Sequence, residues 1–397
     1  MKFELSDQQQ EWQAEVRDFL RHHLTDAVRA EVIAWHGHGH GPRTRDFYKA
    51  VADRNWTALT WPASCGGMER GAIDQFILAE EFVYAGAPRV EMTWTSLAPL
   101  LIRYGTDANR ALWLEDIRSG DILFALGYSE SEAGTDLASL RTTARRDGDE
   151  WVIDGEKTWN TGAHFATHEW LAVRTNAEAR RHRGISLIVV PIGAPGVQTY
   201  PILTWSGVRT SRVVFTNVRV PADNLVGEVD RGWAYITGAL DFERATIGGH
   251  VGSLRRLVDG LVQYAGEQKR DGRLLRDDPA VRSGLAELAL DVELAGLMGL
   301  EVADAIDRGQ IPTLPGTVQK VFTTELRTKV ADVGMRLLGQ TALLSEAEPD
   351  APLGGFLEWT YRWAPVQRFG GGTNEVMRDI IAQRGLGLPR AARGQGR

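Results

Sequence analysis

The hydrophobic period changes twice along this chain, from the 3.6 residues of a helix to the two residues of a strand and back, and that order limits the fold more than any single motif. From Ser6 to about residue 120 the spacing is helical. Ser6 and Gln9 form a capping-box pair, and Trp12, Val16, Phe19 and Leu20 follow on one face. Ile73, Phe76, Ile77 and Phe82 predict another helix, and Thr106-Asp107 opens a third that carries Leu112, Leu114 and Ile117. Between about Asp121 and Gly227, Trp151 to Ile153, Leu171 to Val173, Ile185 to Val190 and Arg212 to Val220 read as strands. Asp147-Gly148 and Asp154-Gly155 are hairpin signals, and Pro191, Pro195, Pro201 and Pro221 mark strand ends or loops. From Gly232 to about Gly385 helical spacing returns, in Leu285-Leu288-Val292-Leu294 and Val318-Val321-Phe322-Leu326. The expected class is α+β: an N-terminal helical domain over 1–120, an antiparallel β domain over 121–227 and a C-terminal helical bundle over 228–397.

Bulk properties narrow the function classes. A chain of 397 residues exceeds the usual single core, so several packed domains are expected. With 43% hydrophobic and 24% charged residues it reads as an ordinary folded, soluble protein. A formal net charge of -7 and no Lys/Arg run with interleaved aromatics argue against nucleic acid as a partner. The single cysteine, Cys65, leaves no intrachain disulfide and no cysteine-based metal cluster, which fits a reducing cytoplasm. Met1 to Ser6 lacks an apolar signal core, and no apolar run approaches the ~20 residues of a membrane span. His36, His38 and His40 alternate with glycines without a nearby carboxylate cluster, so they read as a polar loop and no metal is expected.

Three segments carry chemistry. Tyr128-Ser129-Glu130-Ser131-Glu132-Ala133-Gly134-Thr135-Asp136 is either a turn joining helix to strand or a loop that brings backbone amides to a polar ligand. In Lys157-Thr158-Trp159-Asn160-Thr161-Gly162, at a strand end, the indole either fills a core or stacks on a flat cofactor whose edge Thr161 meets. Phe369-Gly370-Gly371-Gly372-Thr373-Asn374-Glu375 places glycines before a helix that Thr373 can cap, leaving free amides for a carbonyl oxygen or a pyrophosphate.

In this order, on a helix–sheet–helix frame, the three segments resemble the acyl-CoA dehydrogenase family over nearly the whole chain. Val218 to Gly227 resembles the family's exit from its β domain. The resemblance implies a central β barrel, FAD between it and the helical bundle, and dehydrogenation of an acyl-CoA thioester to the 2-enoyl-CoA. It implies that Leu126, Tyr128, Ser129, Gly134 and Thr135 bind flavin or thioester, that Trp159 stacks on the isoalloxazine beside Thr161, and that Thr373 and Glu375 hold the cofactor's far part. It also implies an electron-transfer flavoprotein or similar acceptor and a homo- or heterotetramer, with the sequence nearest a bacterial branch that handles bulky acids such as steroid side chains.

Desaturation beside a thioester needs a base for the α proton. Many members of the family carry it where this chain has Gly371, whereas a subset places a glutamate where Glu243 stands, in Leu240-Asp241-Phe242-Glu243-Arg244-Ala245. Glu243 is otherwise an ordinary charge on a solvated helix face; the resemblance assigns it as the base. A dry pocket would raise its pKa, and Gly371 would leave room for its carboxylate beside the substrate. Asp241 and Arg244 are expected at the CoA portion. Gln268 and Asp271 stand where relatives carry an Arg and a Phe that cover FAD in a neighbouring subunit, with Lys269 or Arg270 as substitutes, and Arg336 replaces a usual glutamine. Two alternatives share the fold: a dehydrogenase of carrier-protein thioesters, and a non-catalytic subunit supporting a related partner.

Overall fold

The computed structural model describes residues 4–35, 41–179, 181–238 and 251–389. Its contacts form two units, one of Gln9–Leu78 with Ala85–Glu243, the other of Met1–Gln8, Ala79–Tyr84 and Arg244–Arg397. In the first unit, α1 (Asp7–His23) buries Trp12, Val16, Phe19 and Leu20 as their spacing predicts. Trp12 and Phe19 meet Trp56 with ring centroids 4.9 and 4.8 Å apart, and the Arg70 guanidinium lies 4.1 Å over Trp12. Helices α2 (Asp26–Ala34), α3 (Pro42–Asp53), α4 (Ala72–Ala85), α5 (Ala98–Tyr104) and α6 (Asp107–Arg118) follow. Thr106 and Asn109 form a reciprocal capping box on α6, and Asn109 Nδ2 also donates to the carbonyls of Asp223 and Leu225 at 2.7 and 2.9 Å. One cap thereby fastens the helices to the chain leaving the sheet.

The strands are β1 (Phe124–Gly127), β2 (Thr143–Asp147), β3 (Glu150–Lys157), β4 (His168–Arg174), β5 (Ile185–Pro191), β6 (Val197–Leu203) and β7 (Arg209–Pro221). They form one curled sheet in the order β1-β4-β2-β3-β7-β6, with β5 on β4. Three strands, β1, β2 and β6, fall outside the segments read as strands from the sequence. β1 is largely buried with no alternation, β2 has a single buried position, and β6 contains Pro201. Pro201 therefore lies inside a strand rather than at an end; β6 is an edge, where a missing N–H is tolerated. The sheet is mixed, since β1 runs parallel to β4 from Phe124↔His168 to Gly127↔Leu171. Asp154-Gly155 makes a bulge within β3 instead of a hairpin, at a register shift against β7. Gly155 has φ of 143°, and a Cβ there would sit 2.7 Å from Thr142 Cα, so a side chain is excluded.

Helical residues 232–238, α7, follow the sheet. In the second unit, α8 (Val251–Glu267), α9 (Pro279–Asp307), α10 (Thr313–Leu338) and α11 (Phe356–Phe369) bury Leu254, Leu261, Leu288, Val292, Val330 and Leu357 in one core. Leu294, expected on the buried stripe of α9, is exposed. Between α8 and α9, β8 (Lys269–Arg270) and β9 (Arg273–Leu274) pair across Asp271 and Gly272, both at positive φ. The short α12 (Asn374–Ile380) comes last. Among the described residues no helix is long and apolar enough to cross a membrane.

Candidate active site

Trp159 is one of several exposed aromatic residues, Trp205 at 72% among them, and is the one aromatic among the described residues held at positive φ. Trp12, Trp56, Trp61, Trp94 and Trp170 are at most 2% exposed, whereas Trp159 is 60% exposed. The reading of Trp159 as a core residue is thus excluded. Its φ is 66°, a left-handed conformation that costs a bulky residue about 1–3 kcal/mol and persists only where neighbours enforce it. Flanking amides do so: Thr158 N donates to Ser129 O at 2.9 Å, Asn160 N to Ser211 O at 3.0 Å and Thr161 N to Trp159 O at 2.9 Å. Thr161 is exposed beside the indole, its hydroxyl 3.3 Å from that of Thr210.

The loop after β1 is fixed from beneath. Glu130, 8% exposed, accepts from the amides of Arg141 and Thr142 at 2.6 and 2.8 Å and from Lys157 Nζ at 2.8 Å. Lys157 is fully buried and also donates to Tyr128 O at 3.1 Å. One ion pair therefore ties the first segment to the second. Leu126, opposite Trp170 in the β1–β4 ladder, and Tyr128 and Ser129 are partly covered, while Gly134 and Thr135 are exposed.

A second carboxyl lies in the same interior. Glu169 of β4 is fully buried and accepts from Asn160 Nδ2 at 2.9 Å. Burial pushes its carboxyl up to about 8, against the pull of the Asn160 hydrogen bond and of Lys157. Burial likewise brings Lys157 down to about 8, with Glu130 opposing. Glu130, despite the desolvation that would raise it, is held below the usual carboxylate range by Lys157 and Thr142. Of the two carboxyls near one ammonium, Glu130 is the ionised partner and Glu169 keeps its proton at neutral pH.

In the second unit the glycine turn is built as the sequence suggests, but its amides are spent differently. Gly371 and Gly372 have φ of 65° and 100°, and Thr373 Oγ1 accepts from Val376 N at 3.1 Å, capping α12. Glu375 is exposed, and its carboxyl, which accepts from its own backbone amide and from Thr373, is held below the ordinary range. Two of the amides expected to meet a pyrophosphate are thus already engaged. The turn rests on Lys320 of α10, whose buried ammonium donates to Gly372 O and Asn374 Oδ1 at 2.7 Å each and to Arg368 O at 3.2 Å. Asn374 and Arg378 both reach Glu325 Oε1, at 3.2 and 2.8 Å.

Glu130, Lys157, Asn160, Glu169 and Lys320 were not among the expected site residues. Glu169, ahead of Trp170-Leu171-Ala172-Val173, and Lys320, between Val318 and Val321, carry the signal of a charge beside apolar residues, which needs a buried partner, whereas Glu130, Lys157 and Asn160 lie in polar segments and carry none. Asp241, Glu243 and Arg244 lie outside the described residues, as do His36, His38 and His40. Of the candidates near β8, Arg270 Nη2 donates to Leu337 O at 2.9 Å, and Lys269 is exposed. Arg336 forms an exposed ion pair with Asp332.

Residues 6–121, 125–218 and 230–386 match the N-terminal, middle and C-terminal domains of acyl-CoA dehydrogenases. The chain belongs to the acyl-CoA dehydrogenase family. It is an oxidoreductase with that family's arrangement of helical ends around a central curled sheet. Acyl-CoA dehydrogenase FadE26 of Mycobacterium tuberculosis is 39% identical, over 99% of this chain and all of its own. Among solved structures, the Tcur3481-Tcur3483 steroid ACAD superimposes with a TM-score of 0.92 at 36% identity, covering 98% of this chain and 100% of that one. The ChsE4-ChsE5 complex from Mycobacterium tuberculosis gives 0.91 at 37% identity with the same coverage.

Proposed function

We propose that this acyl-CoA dehydrogenase uses FAD to convert a bulky acyl-CoA to its 2-enoyl-CoA. The observation that carries the reading is Trp159, a tryptophan held outward at positive φ on a platform braced by the Glu130–Lys157 pair. A solvent-facing indole has no packing reason to be held under strain, while a flat ring system stacked on it supplies one. The residues present suit such a group. Ser129 and Thr135 offer hydroxyls, Thr161 offers a hydroxyl beside the indole, and Leu126, Tyr128 and Gly134 shape the adjoining loop. Glu375 is ionised and faces solvent, so it serves a hydroxyl or amine hydrogen of the cofactor better than its phosphates. Thr373 keeps the turn in place through its cap.

FAD, when bound, supplies the acceptor for the β hydride. The chain's own part is to hold and move the other proton. We assign that to Glu243, whose carboxylate removes the α proton; Gly371, where many members of the family carry the base, has no side chain to do so. Exclusion of water raises a carboxylate's affinity for a proton, which suits a base to a weakly acidic carbon. Asp241 and Arg244 serve the CoA portion. Purified protein should be yellow and should bleach anaerobically with a steroid side-chain CoA thioester; a colourless protein that takes up no FAD would end this reading.

Assembly with a second, related chain is supported by the two-chain names of both structural neighbours, one of them a steroid ACAD. Leu290, Leu294 and Leu297 leave an exposed apolar row on α9, four and three residues apart, suited to covering by another helix. The reduced enzyme passes its electrons to an electron-transfer flavoprotein or similar acceptor. Co-expression with candidate partners followed by gel filtration tests the assembly; a stable, active monomer would refute it.

A further inference from the structure

The exposed pair Trp159 and Thr161 is separated by one residue that points the other way. Asn160 is fully buried, and among the described residues its one side-chain hydrogen bond is from Nδ2 to Glu169 Oε2. Three links pin the backbone of this turn, but they fix the peptide planes and not the inward side of the segment. The inward side is fixed by the Asn160–Glu169 contact, which fastens the turn to β4, an interior strand of the sheet, where Glu169 pairs with Ala125 of β1 and Val190 of β5.

The arrangement is costly, which is the reason to look for a purpose. Among the described residues neither Asn160 Oδ1 nor Glu169 Oε1, both buried, has a hydrogen-bond partner, and a buried acid that must keep its proton stabilises nothing by charge. Packing enforces its position: a Cβ on Gly127 would lie 2.8 Å from Glu169 Oε2, so β1 carries no side chain where the carboxyl sits. An apolar pair of the same volume would satisfy the fold better than these two groups do. What apolar residues lack is a directional bond holding the segment that displays Trp159.

We propose that Glu169 and Asn160 are positioning residues that set the orientation of Trp159 and Thr161 toward the isoalloxazine ring. The inference rests on the FAD reading and adds two residues that touch neither cofactor nor substrate. Because Glu169 keeps its proton at neutral pH, glutamine is its near-isostere: it presents an oxygen to Asn160 Nδ2 and a donor in place of the acid hydrogen. Leucine fills the volume and removes the bond.

The test compares Asn160→Leu, Glu169→Leu and Glu169→Gln with the parent protein, each stripped of FAD and titrated with it. The readouts are the dissociation constant and the visible circular dichroism of the bound flavin. Both leucine variants should bind FAD at least tenfold more weakly with an altered flavin dichroism, while Glu169→Gln matches the parent. Should a leucine variant fail to fold, Glu169→Gln alone decides, since a charge-based role would make it as defective as its neighbours. Folded leucine variants with parental affinity and dichroism would overturn the inference while leaving the FAD reading intact, and so would a defective Glu169→Gln. A parent protein that takes up no FAD at any concentration would overturn both.

Discussion

Replacing Trp159 by asparagine separates a residue that holds the fold from one that is held for a ligand. The indole is 60% exposed, so about two fifths of it is covered. That is about 80 Å², worth about 2 kcal/mol at ~25 cal/mol per Å². Against this loss stands the left-handed backbone at φ 66°, which costs tryptophan about 1–3 kcal/mol and asparagine much less. The two effects cancel, so the FAD-free variant should unfold within about 1 kcal/mol of the parent. A core tryptophan replaced by a small residue would cost about 3–5 kcal/mol. With FAD the outcome reverses. Ligand at a hundredfold excess over its dissociation constant stabilises the parent by about 2.7 kcal/mol, and the variant should lose most of that gain. Thermal unfolding with and without FAD reads both quantities in one experiment. A variant destabilised by more than about 3 kcal/mol without FAD, yet still stabilised by it like the parent, would refute the reasoning.

Other consequences follow from the buried charges. Lys157→Met should cost about 3–5 kcal/mol and abolish FAD uptake, because it leaves Glu130 buried and unpaired, and adding Glu130→Gln should recover part of the loss in denaturant unfolding. Glu169, with a carboxyl held up at about 8 when folded against an ordinary 4.5, binds a proton in the folded state that the unfolded chain has released. Stability should therefore fall as pH rises from about 4.5 to about 8, and Glu169→Gln should flatten that slope. The buried Lys157, held down at about 8, acts oppositely only above that pH. Lys320→Met removes the donor shared by Arg368 O, Gly372 O and Asn374 Oδ1, and should cost about 1–3 kcal/mol and weaken FAD binding, measured by flavin fluorescence on titration.

How far the sequence could be read depended on whether a residue's neighbours are local. The caps at Thr106 and Thr373 are settled within three or four residues, and both are present as read. The strands with an apolar run or alternation of their own, Trp151 to Ile153 in β3 and Arg212 to Val220 in β7, were legible, whereas β1 and β2 are defined by the strands they pair with rather than by their own pattern. Asp154-Gly155 has the composition of a hairpin turn but is a bulge against β7, with Thr142, just before the neighbouring strand β2, packed against the glycine. The site divides along the same line. Trp159 and Thr161 stand out as a motif, but the outward display of the indole depends on Ser129 and Ser211, far along the chain. Glu169 gives no sequence signal beyond an acid in an apolar strand, and its partner Asn160 is known only from the folded chain.

The central claim is that this chain oxidises an acyl thioester with a bound flavin and takes the α proton with Glu243. Anaerobic titration of the purified, FAD-loaded protein with a steroid side-chain CoA thioester, followed at the flavin's visible band, tests it most directly. The parent should bleach, and Glu243→Gln should hold FAD with the parental spectrum and fail to bleach. Parental bleaching by Glu243→Gln would contradict the assigned base, and a yellow parent that no acyl-CoA reduces would contradict the reaction itself.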